Sequence, residues 1–339
     1  MHHPAQAQRR RAMLVIGALL LCAVASLLFS GMTGSIAVPL AEMPDALRQL
    51  VQGESSLAAS LLELRAGRAL TAFVTGGALA LAGVMMQALL RNPLADPYVL
   101  GISAGASVGA LLALLLMASA IVVDMAALAG AVGVSMLLYL LARRDLRSGL
   151  ALEAGTSMLL LTGVILSSAC MALVTLMLSI APEGRLRSMI FWMIGDLAGA
   201  PLRLAPWVVL GAALLYALRS ARAMNVVALH AEAAATLGIR VGSLRKGLFF
   251  VSGVLTASAV TSAGSVGFVG LIVPHACRFA FGPDHRVLIP AAVLAGGSFL
   301  VLCDTLARTV IAPQQLPVGA ITAIIGAPVF LYQLHRLRR

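Results

Sequence analysis

Charged side chains are scarce in this sequence. Only 11% of its 339 residues are Asp, Glu, Lys or Arg, whereas a soluble domain has about 25%. Hydrophobic residues make up 60% of the chain, and the mean hydropathy is +0.99. With so few charges the chain cannot cover a water-exposed surface, and this excludes a soluble globular protein.

Lysine is almost absent, because Lys246 is the only one in the sequence. A Walker-type phosphate-binding loop needs a lysine that reaches the nucleotide phosphates. Lys246 stands in VGSLRKGL (241–248), which lacks that motif. The chain therefore has no such loop of its own, and ATP-driven activity would require a separate ATPase subunit.

Motifs for enzymatic chemistry are also missing. The sequence contains no His-Glu-x-x-His zinc motif and no acidic cluster suited to metal-dependent phosphoryl or prenyl chemistry. We therefore expect no enzymatic function and no cofactor bound by this chain. Its acidic residues, Asp304 among them, lie at the ends of apolar runs or in loops. Ion-coupled carriers usually hold ionisable residues near the bilayer centre, so a secondary carrier without an ATPase is the less favoured alternative.

What the sequence has in abundance is long apolar runs, which are typical of transmembrane helices. We predict an all-α polytopic membrane protein in which residues 1–339 form one membrane domain. The ten predicted spans are residues 12–31, 69–90, 98–117, 125–142, 154–180, 204–218, 247–262, 267–281, 288–304 and 317–334.

Arginines orient these spans. If both termini lie on one side of the membrane, most of the 24 Lys and Arg residues fall in segments on that side. The positive-inside rule then places both termini in the cytoplasm, with a tail at 1–11 and a larger loop at 219–246. The net charge of +11 is accounted for by this orientation and does not indicate a nucleic-acid partner.

A faint internal repeat relates the two halves of the chain. FVTG at 73–76 and FVSG at 250–253 are separated by the same number of residues as Pro97 and Pro274. The first motif lies on a span that runs inward and the second on one that runs outward. This arrangement suggests an inverted repeat.

One segment interrupts the apolar pattern. Residues 91–97, RNPLADP, contain two prolines, which remove backbone donors and disfavour helix just before them. After this break, Gly101, Gly105 and Gly109 recur four residues apart on one helical face. Such faces let membrane helices approach closely, so we expect this one to pack within the subunit.

The break belongs to a longer stretch, QALLRNPLADPYVLGISAGASVGA (87–110). This stretch is similar to the signature of the FecCD family of ABC importer permeases, whose members carry ferric siderophores, haem or cobalamin. Six other stretches resemble the family in order and spacing: LRAGRALTAFVTGGALALAG (64–83), FWMIGDLAG (191–199), HAEAAATLGI (230–239), GFVGLIVPHACR (267–278), GPDHR (282–286) and LPVGAITAIIGAPVF (316–330).

The resemblance implies the permease subunit of an ATP-driven importer in the bacterial inner membrane. It would move a metal chelate from periplasm to cytoplasm by alternating access, with haem slightly favoured over a ferric siderophore, and cobalamin as the alternative. The expected partners are a second copy of the chain, two cytoplasmic ATPase subunits that hold ATP and Mg, a periplasmic substrate-binding protein and membrane lipid.

The resemblance also implies roles for particular residues at the two membrane surfaces. Arg65, Arg68 and Arg308 match arginines that dock the binding protein outside, where charge-assisted pairs with carboxylates are expected. Snorkelling or lipid contact is the other explanation for such arginines. The inner-gate positions implied by the family are Asn92, Leu94, Thr156 and Ser157, although a tight loop with capping side chains would also account for the turn at Asn92.

On the cytoplasmic side, the resemblance implies a coupling helix at 228–239 that seats in the ATPase subunit. Its contact residues are Leu229, His230, Ala231, Glu232, Ala233, Leu237 and Gly238. The family's cargo pathway is lined by spans 5 and 10 of both copies. The implied lining residues are Met158, Thr162, Ser167, Met171 and Thr322. Span 5 has no histidine or tyrosine to ligate a haem iron.

Overall fold

The computed structural model describes residues 4–36, 38–53, 56–147, 152–229, 234 and 236–337, and these contain helices and no strand. The twelve α-helices described there are α1 Pro4–Met32, α2 Met43–Gln52, α3 Leu57–Leu90, α4 Ile102–Leu115, α5 Ala120–Arg147, α6 Leu152–Ser179, α7 Glu183–Ile194, α8 Leu204–Leu229, α9 Val241–Ala263, α10 Val269–Phe281, α11 His285–Thr309 and α12 Val318–Leu337.

Each predicted span overlaps one of these helices. Seven of the described helices, α1, α3, α5, α6, α8, α9 and α11, are long and apolar enough to cross a membrane. Three shorter apolar helices, α4, α10 and α12, coincide with the remaining predicted spans. The all-helical membrane fold is therefore confirmed, while the count of ten crossings and the cytoplasmic termini stay predictions.

Helix α3 forms the centre of the bundle, because 89% of the residues in its 18-residue apolar stretch are buried. It packs on α9, α10 and α11, and α9 in turn packs on α3, α4 and α5. Gly76 of α3 meets Gly296 of α11, whereas Gly253 of α9 lies near Ser135 of α5. Each of these two helices therefore packs on three helices of the other half of the chain, and the inverted repeat stays a prediction.

The proline-rich break returns the chain into the bundle. After α3 ends, a short 3₁₀ turn at Pro97–Leu100 packs beside Gly270 of α10, which also faces the Leu79 carbonyl. Leu79 lies about 16 Å from the end of α3 at 1.5 Å per residue. Irregular backbone is tolerated at this depth where protein buries it, and Pro97 and Leu100 are buried. This non-helical segment precedes α4 within the bundle, and α4 itself has only 14 residues.

The small-residue face of α4 packs as expected. Gly105 lies against Gly130 and Val134 of α5, and Gly109 lies against Ala126. A side chain at either glycine would collide with the α5 backbone. The predicted packing role within the subunit is confirmed.

A further helix, α7, forms within the segment 181–203. Helix α7 ends at Ile194, and its C-terminal end makes backbone hydrogen bonds with the loop after α9 and with the start of α12. The Trp192 carbonyl accepts from Ser265 N at 3.4 Å, and the Gly195 carbonyl accepts from Gly319 N at 3.3 Å. The FWMIGDLAG and LPVG stretches therefore meet at one place in the fold.

Candidate functional site

The three arginines predicted for docking gather where α1, α3 and α11 meet. Arg65 of α3 is only 7% exposed and donates to the carbonyls of Met32, at 3.4 Å, and Ile36. Arg308 of α11 is 4% exposed and donates to the Thr33 carbonyl at 3.2 Å. Both guanidinium groups therefore satisfy carbonyls at or just beyond the carboxyl end of α1, where a helix has unpaired acceptors and partial negative charge.

Asp304 holds the same cluster together. Its side chain is fully buried and accepts from Arg68 Nε at 3.0 Å and Arg68 Nη2 at 2.8 Å. Arg308 Nε lies 3.1 Å from the other carboxylate oxygen, one helical turn away. The remaining Arg68 nitrogen, Nη1, donates to Gln315 Oε1 at 2.7 Å. One carboxylate thus pairs with two guanidinium groups, that of Arg308, which is buried, and that of Arg68, which is partly exposed.

This geometry differs from the predicted one, in which all three arginines face the binding protein. Arg65 and Arg308 are turned inward because the end of α1 and Asp304 supply partners there. Arg68, with an 11% exposed side chain, reaches the exposed Gln315. The sequence analysis assigned Asp304 no partner, although its spacing four residues before Arg308 could have indicated the pair.

The predicted inner gate lies at the turn that follows α3. Asn92 Oδ1 accepts from Leu94 N at 2.9 Å, and Asp96 Oδ1 accepts from Tyr98 N at 2.8 Å. These are the side-chain turns that favour Asn and Asp, and they fix the direction in which the chain returns. Leu94 is 39% exposed. The side chains of Thr156 and Ser157 lie outside the described residues, and the gate stays a prediction.

The predicted pathway residues divide into two groups. Met158 and Met171 of α6 are 55% and 43% exposed. The Thr162 hydroxyl donates a hydrogen bond to the Met158 carbonyl at 2.8 Å. By contrast, Ser167 lies beside Gly101 near the start of α4, and Thr322 is fully buried and donates to Gly319 O at 2.9 Å. Within this chain, Ser167 and Thr322 therefore take part in helix packing.

Four of the predicted coupling contacts, His230, Ala231, Glu232 and Ala233, lie outside the described residues, as does the side chain of Leu229. Leu237 is described and is 70% exposed. Gly238 adopts a left-handed conformation with φ of 80° just before α9 begins. Glycine tolerates this conformation without strain.

The GPDHR stretch begins α11 with a capping carboxylate. Asp284 Oδ1 accepts from Arg286 N at 3.0 Å and from Asn225 Nδ2 at 2.7 Å. Burial acts to raise the pKa of Asp284, but these hydrogen bonds and the nearby Arg286 charge outweigh it. The pKa therefore lies below its ordinary value, and the carboxylate stays ionised as a link between α8 and α11.

A central helix enclosed by apolar helices, an irregular segment returning into the bundle and exposed apolar outer faces are the features of a multi-pass membrane protein. The chain belongs to the FecCD transport family, whose family model matches residues 19–336. It is accordingly a permease of the ABC-importer class located in the inner membrane, as the resemblance implied.

Two relatives are similar over most of the chain. The cobalamin import system permease protein BtuC of Halobacterium salinarum is 41% identical over 277 residues, which cover 80% of this chain and 72% of the relative. The vitamin B12 import system permease protein BtuC of Escherichia coli O9:H4 is 39% identical over 282 residues, covering 82% and 84%.

Solved structures share the fold. A metal-chelate type ABC transporter in an inward-facing conformation superposes with a TM-score of 0.81 at 29% identity, covering 96% of this chain and 99% of that one. PsaBC from Streptococcus pneumoniae, solved with a Fab, gives a TM-score of 0.55 at 16% identity and covers 85% and 95%. The second likeness shows the fold alone.

Proposed function

We propose that this chain is the permease subunit of an ATP-driven importer whose cargo is a cobalamin. The observation that carries the cargo is the pair of relatives at 41% and 39% identity, both of which are cobalamin or vitamin B12 permeases. Haem and a ferric siderophore, the cargoes first favoured from the sequence, are the second candidates. They stay candidates because a solved structure that is 29% identical to this chain is a metal-chelate type ABC transporter.

A second copy of the chain would complete the pathway. Most of α6 is exposed in the single subunit, since only 17% of the residues in its 18-residue apolar stretch are buried. Ile324 and Leu331 of α12 are also 69% and 64% exposed. We infer that two copies, each with ten crossings and both termini in the cytoplasm, enclose the pathway along α6 and α12. Cargo would then pass by alternating access, with Met158 and Met171 on the lining.

Partner subunits would supply the driving force and the cargo. ATP and Mg would be held by two cytoplasmic ATPase subunits, with this chain binding no cofactor. These subunits would press on the connection between α8 and α9, which is shorter than the predicted loop at 219–246 because α8 extends to Leu229 and α9 begins at Val241. On the other side, a periplasmic binding protein would dock. Arg68 is the best placed of the three arginines to meet its carboxylates, with Arg65 and Arg308 holding the helices behind it.

Reconstituted transport tests the cargo. We expect proteoliposomes containing this permease, its ATPase and its binding protein to accumulate cobalamin only when ATP and the binding protein are present. Haem and a ferric siderophore, assayed in parallel, should not accumulate. Uptake of haem or a siderophore instead would overturn the cobalamin assignment. Uptake by the chain alone under an ion gradient would support the secondary-carrier alternative.

Replacing Leu237 tests the coupling loop. We expect Leu237→Asp to remove the ATPase subunit from the purified complex, because the exposed leucine would bury its apolar side chain in the partner. Leu57→Asp is the matched control, since Leu57 is 77% exposed but lies at the start of α3, on the predicted outer side. The measurement is the ATPase-to-permease ratio after size-exclusion chromatography. Equal ratios for both variants would contradict the assigned contact.

A further inference from the structure

Two adjoining cavities open on the side of the bundle formed by α5, α8 and α9. The larger is a groove of about 510 Å³, and the smaller is a pocket of about 170 Å³ at the end where α5 and α8 begin. The residues that line both cavities are Asp124, Pro206, Arg203, Thr261 and Ser262. The two cavities therefore adjoin one another at these residues.

The groove is apolar and follows the helices through the membrane. Along α5 it runs from Asp124 to Met136, which is about 18 Å at 1.5 Å per residue. One leaflet of the hydrocarbon core is about 15 Å thick, half of the whole. Val132 of α5 and Val254 of α9 line it and are 51% and 54% exposed. These dimensions fit one acyl chain.

The adjoining pocket carries charges of both signs. Arg203 Nη2 lies 2.5 Å from Asp124 Oδ2, and the two side chains are 38% and 22% exposed. Asp196 also lines the pocket, and its Oδ1 accepts from Ala198 N at 2.9 Å. Two carboxylates and one guanidinium group therefore line the same pocket. This charge pattern complements a headgroup with both a phosphate and a hydrogen-bonding ammonium group.

We propose that this combined site binds phosphatidylethanolamine. One acyl chain would lie in the groove, the phosphate would contact Arg203, and the ammonium group would lie between Asp124 and Asp196. A phosphatidylglycerol headgroup would bring only negative charge to two carboxylates. A phosphatidylcholine headgroup has no N–H group to donate to them. The charge pattern therefore selects among lipids that share the same acyl chains.

Native mass spectrometry of the intact complex tests the acyl-chain part. Detergent-solubilised complex would be incubated with equal amounts of the three phospholipids carrying identical acyl chains. We expect phosphatidylethanolamine to be retained preferentially, and Val254→Trp, which fills the groove, to abolish that retention. Val208→Trp is the matched control, because Val208 is 60% exposed on α8 and does not line the groove. Equal retention in both variants, or of all three lipids, would overturn the proposal.

A second variant tests the headgroup part without filling the groove. Asp196→Asn preserves an oxygen that can accept from Ala198 N, so the local turn should remain. We expect the preference for phosphatidylethanolamine over phosphatidylcholine to fall by about tenfold, the effect of losing one charge-assisted contact. An unchanged preference would show that the carboxylate does not recognise the ammonium group.

Discussion

Replacing Asp304 with alanine will lower the apparent melting temperature of the purified permease by at least about 5 °C. Its carboxylate is fully buried and faces the guanidinium groups of Arg68 and Arg308 at 2.8 and 3.1 Å. Removing one member of a buried ion pair leaves an uncompensated charge and costs about 3–5 kcal/mol. Here two guanidinium groups lose their counter-ion at once.

The matched control is Glu63→Ala, which removes an exposed carboxylate from α3. We expect it to change the melting temperature by no more than about 1–2 °C, because exposed charges contribute little. Asp304→Asn should fall between the two, since it retains the shape and an acceptor but not the charge. Melting curves recorded at one heating rate in the same detergent make the comparison valid. Equal melting temperatures for Asp304→Ala and Glu63→Ala would show that the ion pairs of Asp304 do not stabilise the fold.

Gly83→Val will prevent the bundle from closing around α3. A Cβ at Gly83 would collide with the backbone carbonyl of Gly270 on α10. The collision is with backbone and not with a flexible side chain. It can therefore be relieved only if α3 and α10 move apart. Overpacking of this kind costs about 3 kcal/mol or more. We expect loss of the monodisperse peak in size-exclusion chromatography and loss of ATP-dependent uptake.

Gly211→Val on α8 is the control for Gly83→Val. A Cβ at Gly211 has no neighbour within 4 Å, so valine should be accepted there with normal elution. Gly83→Ala provides a graded test, since its single methyl group meets the same carbonyl. A monodisperse Gly83→Val protein with wild-type uptake would mean that α3 and α10 do not cross at these glycines.

Membrane helices could be predicted well because hydropathy is a local property. The break at 91–97 was also evident, since proline acts on the residues beside it. Its course could not be predicted in full, because the return of Pro97 alongside Gly270 depends on two helices that are distant in sequence. The assignment of Ser167 and Thr322 to the pathway stays a prediction, because the sequence does not show how their helices are oriented. The sequence shows that they are polar and in spans, but not which face of the helix meets a neighbour.

The sequence by itself determined that this chain is a helical membrane protein without a Walker loop, and its ordered motifs indicated the FecCD family. Both conclusions rest on composition and on residues close together in the chain. Only the tertiary structure decided that Arg65 and Arg308 bind the end of α1, that Asp304 neutralises a buried cluster, and that a polar pocket continues an apolar groove. These features depend on residues brought together from separate helices, and the free energy of burying a charge depends on what those helices place beside it.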